Sequence, residues 1–160
     1  MHVRRIVDFR DRGLRADYKD AIKRLNEDWI KKHFVMEEAD HRVFDHPAEE
    51  IISQSGHILF ALLGKAFVGT CTLIKSHHDG FDFELAKMGV APTFRRNGIG
   101  YELAVAALQE ARGRGARKVI LESNTVLAPA IKLYKKLGFA EFDGDASPYD
   151  RANIQMQTEL

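Results

Sequence analysis

The stretch ELAKMGVAPTFRRNGIG, Glu84–Gly100, decides how this chain is read. It begins inside a strand-like run, Phe81 to Val90, and Pro92 follows that run. Arg95-Arg96-Asn97-Gly98-Ile99-Gly100 follows as a basic glycine loop, and an alanine- and leucine-rich helix opens near Gly98 and runs to about Arg112. A helix N-terminus presents unpaired amides and partial positive charge, so it is a ready anion site. Gly98 and Gly100 let ligand oxygens reach the backbone where a Cβ would stand in the way, and Arg95 and Arg96 add charge. The loop is neither the dinucleotide fingerprint G-x-G-x-x-G nor a Walker loop. Taken alone, these six residues fit a phosphate cradle and a glycine turn with two solvated arginines equally well.

Upstream of this stretch, Val3 to Phe9 reads as a first strand ended by the turn Asp11-Arg12-Gly13. Tyr18, Ile22, Leu25 and Trp29 then recur at helical spacing. Pro47 with Glu49 and Glu50 marks a second helix start, with proline in the first turn and acids at the positive pole, and Gly56 ends it. His57–Leu63 and Ala66–Lys75 form a hairpin about Gly64-Lys65, and His77-His78-Asp79-Gly80 turns the chain into the Phe81–Val90 strand. Downstream, Lys118–Glu122 is a compact strand, and a helix runs from about Pro129 to Gly138. Asp143–Pro148 is a loop, and Ile154, Met156, Thr158 and Leu160 alternate as a last strand. Hairpins followed by alternating strands and helices predict an α/β fold: a mixed sheet with helices on both faces. No repeat or long linker divides the 160 residues, so residues 1–160 read as a single domain.

Composition narrows the function classes. With 45% hydrophobic and 29% charged residues the chain is too apolar for disorder. Its 24 Lys and Arg against 23 Asp and Glu leave a net charge of +1, which argues against a general nucleic-acid binder. The apolar run Ile58–Leu63, which no other exceeds, is far short of the roughly 20 residues that a membrane span needs. With no signal-peptide pattern either, the expectation is a cytoplasmic protein without a membrane partner. Cys71 is the only cysteine, which excludes an intrachain disulfide and a multi-cysteine zinc site. His77, His78 and Asp79 sit on a glycine turn with no other ligand cluster evident in sequence, so no metal is expected.

The Glu84–Gly100 stretch resembles the coenzyme-A-binding core of the GNAT N-acetyltransferase superfamily, whose pattern Arg/Gln-x-x-Gly-x-Gly/Ala is filled by Arg95, Gly98 and Gly100. About forty residues on, AIKLYKKLGF, Ala130–Phe139, is similar to the family's second signature, a helix ending in Leu-Tyr-x-x-x-Gly-Phe. The order of elements resembles the family's over the whole chain. The resemblance implies a central mixed, mostly antiparallel sheet of about six to seven strands, in which a splayed parallel pair forms the CoA groove. It implies acetyl-CoA as acetyl donor, its pyrophosphate held by backbone amides of Arg96, Asn97, Gly98, Ile99, Gly100 and Tyr101 behind Arg95. The pantetheine arm would lie along the backbone of Met88, Gly89 and Val90.

For the chemistry, the resemblance points to Tyr134 as the group that meets the departing thiolate. The residues independently turn it inward: Ala130, Leu133, Tyr134 and Leu137 share one helical arc, and Lys132, Lys135 and Lys136 the other. A packed core tyrosine would face the same way. Full proton transfer from a phenol near pKa ~10 to a thiolate near ~8.5 is uphill by roughly 2 kcal/mol, so hydrogen-bond stabilisation is the expected role. Glu84 matches the base of histone-acetylating relatives, with Glu122 or ordered water as alternatives. By strand alternation Glu84 is expected to share a face with Ala86, Met88 and Val90. The family's frequent cofactor asparagine is replaced here by Leu127, and Asn124 either serves from a shifted loop or is a turn residue. The expected reaction is direct transfer to a primary amine on a small molecule or peptide. A non-catalytic acyl-CoA sensor on the same fold is the alternative, and the resemblance leaves a homodimer open.

Overall fold

The computed structural model describes residues 4–9 and 17–160. The expected turn at Asp11-Arg12-Gly13 and the residue Val3 lie outside them. One seven-stranded sheet organises the described residues, in the order β1-β2-β3-β4-β5-β7-β6. Its strands are β1 Arg4–Asp8, β2 His57–Leu63, β3 Ala66–Lys75, β4 Phe83–Val90, β5 Lys118–Ser123, β6 Ala140–Phe142 and β7 Ile154–Glu159. Every neighbouring pair is antiparallel except β4–β5, which is parallel. This is the mixed, mostly antiparallel sheet that the resemblance implied.

Strand alternation divides the core into two layers. Leu59, Cys71, Leu73, Leu85, Val119, Leu121 and Met156 point to one face. Helix α4, Ile99–Gly113, covers that face with Ile99, Leu103, Ala107 and Ala111, an i, i+4 stripe whose alanines let the helix lie close. The short helix α5, Ala128–Lys136, adds Ile131 and Tyr134. On the other face, Val7, Ile58, Phe60 and Leu62 meet Ala21, Ile22 and Ile30 of α1, Tyr18–His33, and Phe44 of α2, Glu38–Asp45.

Three local expectations change. The segment between His33 and Pro47 holds its own helix, α2, started by a capping box in which Glu37 and Asp40 meet each other's backbone amides. The helix expected from Pro47 is a single turn, α3, Pro47–Glu50, followed by a 3-10 turn at Ile52–Gln54 that ends on Ser55 at φ 66°. The short strand β6 carries no alternation long enough to read.

Candidate active site

Parallel pairing of β4 with β5 lasts two rungs, Phe83 with Val119 and Glu84 with Ile120, and then the strands part. Beyond Glu84, β4 therefore pairs with β3 along one side only, and its other side meets no strand. Opposite that gap β4 is bulged. Thr70 pairs Gly89 while Thr72 pairs Ala86, so Cys71 alone faces Lys87 and Met88. Lys87 takes φ 51°, a left-handed conformation that L-residues other than glycine rarely adopt.

The bulge corrects the expected alternation. Met88 and Val90 pack with the α4 layer. Lys87 reaches instead to Asp40 of α2, and Gly89 backs onto Leu25 of α1. Glu84 lies with Lys87, whose charge acts on it. Glu84 thus shares the α2 side with Lys87, away from Met88 and Val90, because one inserted residue reverses every side chain beyond it.

On the α4 side, the glycine loop meets the open strand. Gly98 caps α4 at φ 77° and offers no side chain to the first turn, and Glu102 N donating to Gly98 O at 3.0 Å is the first intrahelical bond. The amides of Ile99, Gly100 and Tyr101 precede that bond, the usual anion-binding set. Gly100 brings three elements together: a Cβ there would touch Leu133 of α5 and Met88 of β4. Arg96 is exposed and left-handed at φ 66°. Arg95 has a structural task, since Nε donates to Val90 O at 3.1 Å and Nη2 to Asp28 Oδ2 at 2.7 Å, fastening the loop to β4 and α1. Asn97 Nδ2 donates to Phe94 O and Arg95 O and holds the turn. Lys136 lies 4.7 Å from the centre of the half-exposed Tyr101 ring and brings a further cation to the loop.

Tyr134 enters from α5, edge-on to Phe139 at 6.1 Å. Burial pushes its phenol pKa up, and the neighbouring Cys71 adds to the shift. That neighbour is the residue facing the β4 bulge, so the phenol stands beside the bulge on the α4 side. The raised pKa keeps it protonated and a donor, and makes full proton loss harder still. Cys71 is itself buried, and its thiol is pushed up by that burial, in keeping with a packed thiol. Asn124 takes the turn role: Nδ2 donates to Arg151 O at 2.7 Å while Oδ1 accepts from Val126 N at 2.9 Å, which occupies both ends of its side chain.

The α2 side carries a charged cluster that sequence reading missed. Asp40, fully buried, accepts from Lys87 Nζ at 2.9 Å, from Arg151 at 2.5 and 2.6 Å, and from Glu37 N at 2.9 Å. Lys87 also donates to the Tyr149 hydroxyl at 2.7 Å, and Glu37 holds Arg151 through Nη1 at 3.3 Å. Burial alone would raise the Asp40 pKa, but the Arg151 bonds and the Lys87 charge outweigh it and hold it at about 2. Burial lowers the Lys87 pKa by more than Asp40 restores. These bonds tie α2 to the bulge and to the segment before β7. Since the folded Asp40 pKa is depressed, its contribution is complete above the ordinary carboxylate range and fades as pH falls toward 2. Asp40→Ala leaves two cations without their acceptor and is expected to cost about 3–5 kcal/mol, which a chemical-denaturation midpoint at pH 7 measures. The loss relative to wild type should shrink as the pH is lowered from 5 to 2.

Beside this cluster stand Glu84, Glu122 of β5 and His78 of the β3–β4 turn, each bringing a ligand-type atom within 4.8 Å of the others. His78 Nε2 lies 3.1 Å from Glu122 Oε1. The sequence treated this histidine as a turn residue with no partner. Burial and then the Glu122 charge raise the Glu84 pKa to about 7, against the lowering pull of His78 and Lys87.

Comparison with known proteins bears on the family and the fold. A family model described as Acetyltransferase (GNAT) family matches residues 19–139. An uncharacterised N-acetyltransferase, YjgM, of Escherichia coli (strain K12) is 34% identical over 98 residues, 59% of this chain and 58% of that one. A mycothiol acetyltransferase of Saccharopolyspora erythraea is 39% identical over 71 residues, 44% of this chain and 23% of the relative. The chain thus matches little more than half of the first relative's length and about a quarter of the second's. Among solved structures, a GNAT-family acetyltransferase of Staphylococcus aureus Mu50 superposes with a TM-score of 0.83 at 18% identity, over 99% of both chains. The acetyltransferase yncA of Salmonella typhimurium, solved with acetyl-CoA, gives 0.72 at 20% identity, over 100% of this chain and 94% of that one. At these identities the structural likeness is one of fold. No helix among the described residues is long and apolar enough to cross a membrane.

Proposed function

The chain belongs to the acetyltransferase (GNAT) family, and on that premise we propose that it moves an acetyl group from acetyl-CoA to a primary amine by direct attack within a ternary complex. One observation carries the reading: the open side of β4 lies between a protonated phenol on one face and a carboxylate poised near neutrality on the other. Amides of Ile99, Gly100 and Tyr101 would take the pyrophosphate, with Arg96 and Lys136 adding charge. Backbone groups of Met88, Gly89 and Val90 on the side of β4 away from β3 would pair with the pantetheine amides, alongside the Val90 carbonyl that Arg95 already holds.

An alkylammonium of pKa ~10 must lose a proton before it attacks, at a cost of about 4 kcal/mol at pH 7. A carboxylate with a pKa near the working pH is suited to that step. The freed nitrogen adds to the thioester carbon while Glu84 holds the first proton, and as the C–S bond breaks the nitrogen gives up a second proton, which balances the one that the thiolate takes. Tyr134 donates a hydrogen bond to the leaving thiolate sulfur, and CoA departs as the thiol after taking a proton. Charge-assisted hydrogen bonds contribute roughly 1.5–3 kcal/mol.

Tyr134→Phe is therefore expected to lower kcat by about 10- to 150-fold while acetyl-CoA affinity, read by calorimetry, stays within about twofold. The founding experiment is thiol release from acetyl-CoA across amines, amino acids, polyamines, aminoglycosides and short peptides. Saturable release that depends on the acceptor is the expected result and names the acceptor class. Tight acetyl-CoA binding with a flat panel would overturn catalysis in favour of an acyl-CoA sensor.

A further inference from the structure

We propose that Glu122 and His78 are positioning residues for the base: Glu122, held by His78, shares a single proton with Glu84, so that the two carboxylates act together as one proton acceptor. This inference rests on the acetyl-transfer reading above and adds to it a second carboxylate and an imidazole, drawn from two other segments of the chain.

The argument begins with an atom. Glu122 is 4% exposed, and while Oε1 meets His78 Nε2, Oε2 is buried with no hydrogen-bond partner among the described residues. Leaving a buried acceptor unmet costs roughly 1–3 kcal/mol. Glu84 and His78 are the groups that converge on this carboxylate, within 4.8 Å. A proton resident on Glu84 supplies the missing donor. Two ionised carboxylates this close repel, and the cations nearby have partners of their own: Lys87 is bound to Asp40 and Tyr149, and Arg151 to Asp40 and Glu37. Among the charged groups that act on Glu84, Glu122 favours the proton, while His78 and Lys87 oppose it.

His78 has the build of an orienting group. The turn that carries it is pinned by Ser76 Oγ accepting from His78 N at 3.0 Å and by Phe81 N donating to His78 O at 3.3 Å. Its ring is 16% exposed, so the trio borders solvent at one end and the β4 bulge at the other. The singly protonated pair is the resting form below its upper pKa, and turnover starts once that proton has gone to solvent and both carboxylates are ionised. The ionised pair then accepts one proton from the alkylammonium before its nitrogen attacks. That proton returns to solvent before the next cycle, so no net charge accumulates.

The test is the pH profile of kcat/KM for wild type, Glu122→Gln, His78→Gln and Glu84→Gln, with carbon-13 NMR titration of the glutamate carboxyls alongside. Wild type should show an acidic limb near pH 7. Glu122→Gln should move that limb down by one pH unit or more, His78→Gln should move it up, and Glu84→Gln should abolish it with a loss of about 100-fold. The NMR titration should find a two-step carboxyl pair that Glu122→Gln converts to one ordinary step. Limbs that stay in place in both partner variants, with plateau rates alone reduced, would make the two residues merely structural and overturn the proposal. So would activity lost on chelation and restored by Zn2+, which would hand the trio to a metal. The NMR arm needs no turnover: a paired titration in a protein inactive on every amine would uphold the shared proton and sink the transferase reading, and single ordinary titrations in an active enzyme would do the reverse.

Discussion

Gly89→Ala is expected to lower the melting temperature by roughly 6–12 °C and to weaken acetyl-CoA binding with it. A Cβ at Gly89 would stand 2.2 Å from the carbonyl oxygen of Leu25 and 2.9 Å from its carbon. Both atoms are helix backbone, so no rotamer change relieves the clash, and α1 must lift off β4. Overpacking a core costs about 1–3 kcal/mol and occasionally more. A backbone-on-backbone overlap this deep belongs at the top of that range, and each kcal/mol shifts the midpoint by about 2–4 °C in a chain of this size. The strand that α1 presses on is the one whose free backbone the cofactor is proposed to meet, so affinity should fall too. Gly113→Ala is the control: nothing lies within 4 Å of its Cβ position, and it should leave the midpoint unchanged or slightly raised. Equal midpoints for Gly89→Ala and wild type would mean that α1 does not rest on β4 as described.

Gly98→Glu should raise the dissociation constant for acetyl-CoA at least 100-fold. The position has φ 77°, and nothing lies within 4 Å of where its Cβ would be. A side chain there projects into the open space before the first turn of α4. Like charges about 4 Å apart repel by roughly 4 kcal/mol near a protein surface, so one carboxylate facing a pyrophosphate is sufficient. Gly98→Asn separates charge from backbone strain, since asparagine tolerates the left-handed conformation and is neutral. It should retain affinity within about tenfold. Calorimetry on both variants decides the matter, and unchanged binding by Gly98→Glu would move the cofactor away from this loop.

What the chain disclosed in advance was local. Arg95, Gly98 and Gly100 lie within six residues and take the loop-then-helix form that their types require. The inward arc of Tyr134 followed from helical spacing alone. Gly89 carried a signal that was not pressed: a glycine inside a strand marks either a bulge or a close backbone approach, and here a helix carbonyl occupies the room. The bulge at Lys87 had no such mark, because a lysine at positive φ contradicts local preference and is held there by bonds to Asp40 and Tyr149. Those partners are 47 and 62 residues away in sequence. Asp40 meets Arg151 across 111 residues, and His78 meets Glu122 across 44. No periodicity records such meetings, since they arise when α2, the β3–β4 turn and the segment before β7 close over one end of the sheet.

A sheet of seven strands ordinarily has two unprotected borders, and this one has two more inside it. From Leu85 on β4 and Leu121 on β5, the two strands share no rung and part as a wedge whose narrow end is sealed by the Phe83–Val119 and Glu84–Ile120 rungs. Unpaired strands of this kind invite addition by other chains, and proteins commonly blunt them with charge or proline. Here the opening is flanked on both faces, by α4 and α5 on one side of the sheet and by α1 and α2 on the other. The proposed occupant is a slender chain of amides without side chains. Self-association by strand exchange is thereby discouraged in the resting protein, and filling the wedge with cofactor should slow hydrogen exchange on both sides of it, making the seam the first part of the sheet to stiffen on binding.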